Sequence, residues 1–392
     1  MQKPIPTLLV GIGGYGATYV NLFLDGKFDG KLSLVGAVDP YAHNSKSYDL
    51  LKDRMPICSS MDDFFVSHKA ELVIVCTPAH LHYEHCVTAL KYGAHVLCEK
   101  PLVPTLADLD RLQQVCGTSD KALAVGFQHC YSDVMLALKK RVLAGEFGRP
   151  VTLKNYISWP RTWAYYGRGI GWAGKIKTDS GAYVNDSVVS NAMAHFIQNA
   201  MFLLGPNMND SIPFHNIQVE CYRVNDIESF DTIAFKGRVV DADIYFYASH
   251  ATRRNIPPIM DYKFENARIM VNVLAHDYEC TIHHQDGRIE NLGMLLKDAK
   301  ESALRAMIRH IRGEHVFLCT TNTVRPYTAF IDAIFENVPF HDFPDSCVVI
   351  DYEAQTTYVK NLHLDLLDCF NQNKLPSEAA LPWAKAGTCV MP

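Results

Sequence analysis

Three glycines near the start of the chain have the spacing of a phosphate-binding turn. The apolar run at residues 8–10 leads into Gly11, Gly13 and Gly16, where a helix is expected to begin. Gly11 allows the tight turn, Gly13 lets the backbone approach a pyrophosphate, and Gly16 lets the helix pack closely on its strand. No Gly-Lys-Ser/Thr sequence follows, which excludes a Walker loop. The predicted cofactor-binding residues here are Gly11, Gly13, Gly14, Tyr15 and Gly16.

An acidic residue follows where such a turn needs one. The apolar run at residues 32–38 ends in Asp39, about 20 residues beyond the glycines, where a ribose 2′-hydroxyl acceptor is expected. Pro40 and Tyr41 offer no basic group to a 2′-phosphate, so the predicted cofactor is NAD. The alternative interpretation is a glycine-rich loop with a chance aspartate.

A polar stripe marks a second candidate site on a helix predicted over residues 190–204. Asn191, His195 and Gln198 or Asn199 recur there at helical spacing, beside an apolar side that includes Phe196. A solvated stripe would favour Lys or Glu. Amides and a histidine are better hydrogen-bonding groups than solubilising ones, so the pattern favours a site.

Composition limits the class of protein. The chain has 392 residues, of which 48% are hydrophobic and 20% charged, with a net charge of −5. This length predicts two domains, and this charge argues against nucleic acid or an anionic membrane as the main partner. No apolar stretch approaches a membrane span, and the first strand begins within about ten residues of the start, so a cytoplasmic protein is expected.

The twelve cysteines do not form a metal or disulfide pattern. There is no Cys-x-x-Cys, and Cys76 and Cys98 lie in apolar runs, which favours a reducing compartment. His80, His82 and His85 cluster at the start of a helix without a suitable thiolate or carboxylate pair. No metal site is therefore predicted.

Residues 1–127 alternate between predicted strands and helices, as in a doubly wound parallel sheet. The run at residues 72–76 ends at Thr77-Pro78, and the run at residues 95–98 ends at Glu99-Lys100-Pro101. Ligands bind such sheets beyond the carboxyl ends of the strands, where Asp39 also lies. These residues are therefore expected in the cofactor site.

Residues 128–392 are predicted to form a second α/β domain. Alternating runs between residues 151 and 282 indicate a mostly antiparallel sheet with one face on helices, and such a face could also be an oligomer interface. A long insertion, rich in Trp, Tyr and Gly, occupies residues 158–213. Helices are predicted at residues 303–311, 323–336 and 351–369.

These motifs resemble the Gfo/Idh/MocA oxidoreductases, the glucose-fructose oxidoreductase and inositol dehydrogenase group. The resemblance rests on the glycine turn, Asp39-Pro40, Thr77-Pro78 with His82, the string at residues 93–101, and a histidine helix that closes at Gly205. It implies an N-terminal NAD-binding Rossmann domain followed by an α/β domain with an open, mostly antiparallel sheet. Family members often oligomerise through that sheet, so a dimer or tetramer is expected.

The resemblance also implies roles for individual residues. Lys100 corresponds to the lysine that hydrogen-bonds the reacting hydroxyl, and His195 to the general acid/base. A lysine beside a charged nicotinamide is disfavoured as ammonium, which suits proton exchange. The remaining predicted cofactor residues are Thr77, Pro78, His82, Glu99, Lys100 and Gln128; the predicted substrate residues are Lys100, Arg168, Trp172, Asn191 and His195.

This chain departs from the family pattern around the histidine. Asn191 and Gln198 replace two acids and Met193 replaces a glycine, so His195 lacks carboxylates that would stabilise its imidazolium. Gln128-His129-Cys130-Tyr131 replaces the usual aromatic and arginine. Lys100 is therefore expected to contribute more than His195, and the chain to represent a divergent subfamily.

The expected function is NAD-dependent oxidation of a secondary alcohol of a sugar, cyclitol or glycoside. Seven side chains of the insertion are candidates for a carbohydrate platform, because aromatic faces suit C–H surfaces: Trp159, Trp163, Tyr165, Tyr166, Arg168, Trp172 and Lys175. One alternative is a glycosidase or lyase that retains NAD and oxidises the sugar transiently. The other is a non-catalytic sensor of the same fold.

Overall fold

The chain divides into two compact units. The computed structural model describes residues 3–168, 171–191, 193–272 and 278–391. The first unit comprises Met1–Phe127 and Lys300–Val324, and the second comprises Gln128–Ala299 and Arg325–Pro392. The sequence analysis assigned every residue after 127 to the second domain; the structure assigns residues 300–324 to the first.

Residues 3–127 form a six-stranded parallel sheet in the order β3-β2-β1-β4-β5-β6. This order is that of the Rossmann fold, and it confirms the predicted doubly wound sheet. The four residues of β4 are all buried, which explains their continuous apolar run. The strands are β1 (Ile5–Val10), β2 (Leu32–Val38), β3 (Ile57–Cys58), β4 (Leu72–Val75), β5 (His95–Cys98) and β6 (Leu123–Val125), and the helices are α1 (Gly16–Leu24), α2 (Lys46–Leu51), α3 (Met61–Ser67), α4 (His82–Lys91) and α5 (Leu106–Thr118).

The remainder of the chain forms a ten-stranded sheet with further helices. The order is β14-β13-β12-β11-β7-β10-β9-β8-β15, with β18 also paired to β8. All pairs are antiparallel except β7 with β10 and β8 with β15, which confirms the mostly antiparallel prediction. The helices are α6 (Asp133–Leu143), α7 (Trp163–Tyr166), α8 (Ala194–Leu203), α9 (Ala299–Ile311), α10 (Thr321–Asn337) and α11 (Leu362–Gln372).

The strands of this part number twelve among the described residues, and two of them form a separate hairpin. They are β7 (Pro150–Ser158), β8 (His215–Arg223), β9 (Thr232–Val239), β10 (Ala242–Ser249), β11 (Ile256–Phe264), β12 (Ala267–Asn272), β13 (Glu279–His284), β14 (Ile289–Met294), β15 (Phe340–Asp342), β16 (Val348–Asp351), β17 (Thr356–Val359) and β18 (Thr388–Val390). The hairpin is β16 with β17.

Residues 300–324 are held on the Rossmann sheet by contacts that local sequence does not reveal. The carbonyl of Cys319 accepts a hydrogen bond from the Val125 amide at 2.7 Å. Glu301 of α9 lies 3.2 Å from the Lys27 ammonium. Leu304 and Met307 bury the apolar side of α9. This segment therefore completes the first unit although it lies far along the chain.

The C-terminal residues cover part of the large sheet. Tyr156 of β7 and Tyr247 of β10 belong to a buried cluster with Leu366 and Phe370 of α11. The Tyr156 hydroxyl also donates to the His363 carbonyl at 2.8 Å. The sheet face considered above as an oligomer interface is thus partly covered by the chain's own helix.

One predicted helix is wrong in its first half. The sequence analysis placed a helix at residues 351–369, but the structure has the β16–β17 hairpin there and begins α11 at Leu362. The β-branched pairs at Val348-Val349 and Thr356-Thr357 favour strands, and pairing between them overrides the helical pattern. In the described part of the chain, no helix combines the length and apolar character required to cross a membrane.

Candidate functional site

The glycine turn of the first unit combines two crowded positions with two open ones. Gly11 has φ of +86°, and a Cβ on Gly16 would lie 2.0 Å from the Gly11 carbonyl oxygen. Both positions therefore require glycine for folding. A Cβ on Gly13 or Gly14 would meet nothing within 4 Å. Open space beside the N-terminus of α1 is what an incoming pyrophosphate requires, so the cradle fits a dinucleotide. Tyr15 precedes the helix and is 39% exposed.

Asp39 is fixed by the backbone at the carboxyl end of β2. Its Oδ2 accepts a hydrogen bond from the Ile12 amide at 3.1 Å, and its Oδ1 accepts one from the Tyr41 amide at 2.9 Å. Ile12 belongs to the glycine turn itself. The carboxylate is therefore held next to the turn, where its remaining lone pairs suit the hydroxyls of a ribose.

Thr77 and Pro78 follow β4, and the side chain of Thr77 contacts a histidine that was not predicted to belong to the site. The Oγ1 of Thr77 lies 2.9 Å from Nδ1 of His85. Burial, followed by the neighbouring His82 and His80, lowers the pKa of His85 to about 4, so its ring is neutral at pH 7. His85 thus holds the threonine hydroxyl without adding charge to the turn.

His82 is buried between two turns, and its predicted contact with the cofactor stays a prediction. The side chain is 1% exposed. Its Nε2 lies 2.7 Å from the Thr77 carbonyl oxygen, and its Nδ1 lies 2.9 Å from the Pro101 carbonyl oxygen. Burial lowers the pKa of His82, and these hydrogen bonds oppose that shift. With both nitrogens on backbone oxygens, His82 joins the turn after β4 to the turn after β5.

Glu99 is anchored by two residues that the sequence analysis did not assign to the site. The Tyr19 hydroxyl, on α1, donates to Oε1 of Glu99 at 2.8 Å. A Cβ on Gly126 would lie 2.9 Å from Oε2 of Glu99, so the carboxylate rests on a position that only glycine leaves open. The sequence gives no signal for the role of Tyr19, because a tyrosine on the buried face of a helix resembles an ordinary core residue.

Lys100 follows β5 and lies between Glu99, which Tyr19 contacts, and Pro101, which His82 contacts. Its amide donates to Oε2 of Glu99 at 3.3 Å, and the next residue, Pro101, carries the carbonyl bound by His82. The side chain is half-buried. The backbone of Lys100 is therefore fixed on both sides at the carboxyl end of a central strand.

His195 is the second residue of α8 in the other unit. Its ring stacks on that of His129, with centroids 4.3 Å apart and planes at 18°. Nδ2 of Asn199, one turn along the helix, donates to Nδ1 of His129 at 3.0 Å. His129 was noted only as a departure from the family pattern; the structure pairs it with His195.

The predicted polar stripe is only partly correct. The helix begins at Ala194 rather than at residue 190, so Asn191 lies outside it. Asn191 instead donates from Nδ2 to Oδ1 of Asp186 at 3.3 Å. Gln198 faces Ser211 through a 2.9 Å hydrogen bond. Because Asn191 lies outside the helix, its spacing from His195 does not place the two side chains on one helix face.

A buried lysine secures the far end of α8. Lys139 donates hydrogen bonds to the carbonyls of Phe202, Gly205 and Asp210, the last two at 2.9 Å. Burial lowers its pKa to about 8. An ammonium at a helix C-terminus satisfies carbonyls that lack partners within the helix. Lys139 therefore stabilises the helix that presents His195.

Only some of the side chains predicted to form a carbohydrate platform contact one another. The guanidinium carbon of Arg168 lies 3.5 Å from the Tyr165 ring centroid and 4.7 Å from that of Trp172. Trp163 instead donates to Thr357, and Lys175 pairs with Asp179. Gln128, predicted to contact the cofactor, is the first residue of the second unit and is 8% exposed.

Within the described residues, no group of three His, Cys, Asp or Glu side chains is arranged to hold a metal ion. All twelve cysteines are free thiols. The contacts described above involve both ring nitrogens of His82 and the Nδ1 atom of His85.

Comparison with known proteins identifies the first unit. Residues 5–127 match the family model GFO_IDH_MocA, described as an oxidoreductase family with an NAD-binding Rossmann fold. The chain is 25% identical over 233 residues to the D-glucoside 3-dehydrogenase of Escherichia coli, covering 55% of this chain and 59% of that one. It is 34% identical over 98 residues to an inositol 2-dehydrogenase of Leifsonia xyli, covering 25% and 29%. These two alignments thus span less than two thirds of the length of the curated relatives.

Solved structures extend the similarity to most of the chain. A levoglucosan dehydrogenase in complex with NADH has a TM-score of 0.69 at 16% identity, covering 85% of this chain and 96% of that one. The WlbA dehydrogenase of Bordetella pertussis, in complex with NADH and UDP-GlcNAcA, has a TM-score of 0.68 at 19% identity with the same coverage. At such identities the likeness is one of fold.

Proposed function

Because this chain belongs to the Gfo/Idh/MocA oxidoreductase family and its first unit is an NAD-binding Rossmann domain, we propose that it is an NAD-dependent oxidoreductase. Its substrate is a sugar, cyclitol or glycoside, oxidised at a secondary alcohol. Relatives named as dehydrogenases of a D-glucoside and of inositol support this substrate class.

The observation that carries the proposal is the anchoring of Lys100. The Glu99 carboxylate on one side is fixed by Tyr19, and the Pro101 carbonyl on the other is bound by His82. A flexible lysine on a fixed backbone, at the carboxyl end of a strand in a nucleotide-binding sheet, suits a group that must meet a reacting hydroxyl. A lysine serving only solubility would need neither anchor.

In the proposed reaction, Lys100 hydrogen-bonds the substrate hydroxyl and takes part in removing its proton. The hydride that leaves the same carbon would be accepted by NAD when it is bound. The two electrons of the C–H bond leave with the hydride, and the alcohol becomes a carbonyl. The protein's contribution is to hold the hydroxyl, accept its proton and exclude water.

His195 is the second proposed proton carrier. Its position on α8 is supported by ring stacking on His129 and by the Lys139 contacts at the far end of the helix. Asn191 and Gln198 stand where the family pattern has two acids that would stabilise the imidazolium form of His195. His195 therefore acts as the weaker base and as a hydrogen-bonding group for the substrate.

The other site residues follow from these roles. We assign Asp39 and Glu99 to the ribose hydroxyls, and Asn191, Trp172 and Arg168 to the substrate. A homo-oligomer remains part of the proposal. The cofactor-binding set is Gly11, Gly13, Gly14, Tyr15, Gly16, Thr77, Pro78 and Gln128.

The test is a substrate screen read by two signals. Purified protein with NAD is incubated with a panel of sugars, cyclitols and glycosides, and NADH is followed by absorbance while the organic products are analysed. Net NADH formation with a keto product supports the proposal. Glycoside cleavage without net NADH would indicate the redox-neutral glycosidase or lyase. Ligand binding without any product would indicate a sensor.

A further inference from the structure

Tyr165 of α7 is the centre of a cationic and aromatic cluster in the second unit. The guanidinium carbons of Arg161 and Arg168 lie 4.9 and 3.5 Å from its ring centroid. The rings of Tyr166 and His250 lie 5.2 and 5.6 Å away. Two arginines therefore converge on one tyrosine. Arg161 and Arg168 are called the arginine pair below.

Among the described residues, neither member of the arginine pair forms a salt bridge with a carboxylate. In the described ranges, no carboxylate oxygen lies within 4 Å of either guanidinium, whereas Arg141 and Arg268 of the same unit each pair with one or more carboxylates. Both members of the pair are half-buried. Two partly desolvated like charges repel, so an arrangement without an acid has a cost that a bound anion would remove.

Neighbouring carboxylates are committed to the backbone. Oδ2 of Asp186 accepts from the Gly174 amide at 2.7 Å. Oδ2 of Asp231 accepts from the Val224 and Asn225 amides at 3.1 and 3.0 Å. These carboxylates stabilise loops.

His250 adds no charge to the cluster at neutral pH. It is 2% exposed, and its Nδ1 lies 2.8 Å from the Trp159 carbonyl oxygen. Burial, reinforced by the positive charge of Arg161, lowers its pKa to about 3. The local charge is therefore that of the two guanidinium groups.

The arginine pair is also held in place before any ligand arrives. Arg168 donates to the Tyr165 carbonyl at 2.6 Å and stacks on Trp172 as well as on Tyr165. Arg161 donates to the Pro160 carbonyl at 3.2 Å. Rigid guanidinium groups lose less conformational freedom on binding an anion than free surface arginines do.

A chain of ring contacts connects this cluster with α8. The guanidinium of Arg161 lies 5.9 Å from the Trp159 ring, and that ring packs edge-on against Phe196 at 5.9 Å. Phe196 follows His195 in the sequence and also contacts His129 at 5.3 Å. The arginine pair therefore belongs to the same side-chain assembly as the proposed substrate histidine.

We propose that the arginine pair binds an anionic group on the substrate, so that the substrate is an acidic sugar or a sugar phosphate. The inference rests on the function proposed above and narrows its substrate class. Guanidinium groups bind carboxylates and phosphates through charge-assisted, often bidentate hydrogen bonds, so both anions fit this chemistry. Stacking on Tyr165 and Trp172 alone would explain the orientation of the arginines. It would not explain why no carboxylate among the described residues pairs with them.

The test compares probes that share the glucose ring and differ in the neutral or anionic group at carbon 6. Binding of glucose, glucuronate and glucose 6-phosphate to the NADH-loaded protein is measured by calorimetry, in the wild type and in Arg161→Gln and Arg168→Gln. Arg149→Gln is the matched control, because Arg149 is an exposed arginine of the same unit paired with Glu265. Melting temperature and circular dichroism verify that each variant is folded.

We expect at least one anionic probe to bind more tightly than glucose and to lose roughly tenfold to hundredfold affinity in each arginine variant, with little change in Arg149→Gln. Preference for glucuronate identifies a carboxylate subsite, and preference for glucose 6-phosphate a phosphate subsite. Equal binding of all three probes, or equal losses for neutral and charged probes, overturns the inference.

The same variants separate this inference from the proposed function. Oxidation of a neutral sugar by the wild type, with anionic probes bound equally well by the wild type, Arg161→Gln and Arg168→Gln, would preserve the oxidoreductase assignment and remove the anionic subsite. Arginine-dependent binding of an anionic sugar without NADH or keto product would preserve the subsite and remove the oxidoreductase assignment.

Discussion

The hydroxyl of Tyr19 donates a 2.8 Å hydrogen bond to Oε1 of Glu99. Tyr19 lies on α1, the helix whose N-terminus faces the predicted phosphate site, and Glu99 immediately precedes Lys100. One buried contact therefore joins the element that binds the cofactor phosphates to the turn that carries the proposed catalytic lysine. Changes on α1 are expected to affect that turn.

Tyr19→Phe tests this link. The substitution removes the donor and leaves a buried carboxylate with one hydrogen bond fewer, so the free energy of unfolding should fall by about 1–3 kcal/mol. Denaturant unfolding measures the change, with Tyr41→Phe as the control because Tyr41 is 58% exposed. Equal stability of the two variants would show that the Tyr19 contact contributes nothing.

Asp39 should determine the preference between NAD and NADP. Its carboxylate is held by the Ile12 and Tyr41 amides, and a 2′-phosphate placed against it would be repelled. The wild type should bind NAD roughly tenfold or more tightly than NADP. Asp39→Asn removes the charge but keeps one acceptor, so it should narrow this ratio. Calorimetric titration that finds NADP equal or tighter in the wild type would refute the assignment.

Substitutions at Gly13 and Gly16 should affect different properties, the first cofactor binding and the second folding. A side chain at Gly13 meets no protein atom within 4 Å, so Gly13→Val should fold normally but lose NAD binding because the new side chain occupies the phosphate space. A Cβ at Gly16 would lie 2.0 Å from the Gly11 carbonyl, so Gly16→Val should fold poorly. Melting temperatures and NAD titration distinguish the two. Wild-type NAD affinity in Gly13→Val would argue against this phosphate site.

His250 should make stability depend on pH below neutrality. Burial lowers its folded-state pKa to about 3, below the unfolded value of about 6.5, so between these values only the unfolded chain binds the proton. Stability is therefore lost as the pH falls below 6.5, by up to about 1.4 kcal/mol per unit.

His250→Asn can retain the donor toward the Trp159 carbonyl but does not titrate. The comparison is the free energy of unfolding of wild type and variant at pH 7.5, 6 and 5. As the pH falls, the free energy of unfolding of the wild type should decrease relative to that of the variant. A constant difference across this range would mean that folding does not lower the pKa of His250.

Much of the first unit was predictable because its signals are local. The glycine turn, the buried run of β4 and the strand ends at Asp39 and Lys100 each follow from a few consecutive residues. The residues that support them were not predictable in this way. Tyr19 meets Glu99 across 80 positions, and Cys319 meets Val125 across a still longer separation. Such pairs depend on tertiary packing, which periodicity does not encode.

The second unit shows the same limit at its candidate site. The helix that carries His195 was correctly expected, but its start was placed too early, so Asn191 was assigned to the wrong element. The stacking partner His129 and the stabilising Lys139 lie far from α8 in the chain. Arg161 was not predicted as a site residue, because a single arginine within an aromatic insertion forms no recognisable sequence pattern. The proposed anion site rests on its convergence with Arg168 on Tyr165.

The central claim is that Lys100 is the principal proton-handling group of an NAD-dependent oxidoreductase, and the most direct test is kcat/KM for NADH formation in Lys100→Met and His195→Ala. The substrate is the one identified by the screen, and NAD affinity is measured in parallel. General acid–base groups contribute roughly 10²–10⁴-fold, so Lys100→Met should lose activity toward the upper end of that range with NAD binding retained, and His195→Ala should lose less. Near-wild-type turnover in Lys100→Met would contradict the mechanism, and a larger loss in His195→Ala would transfer the principal role to the histidine.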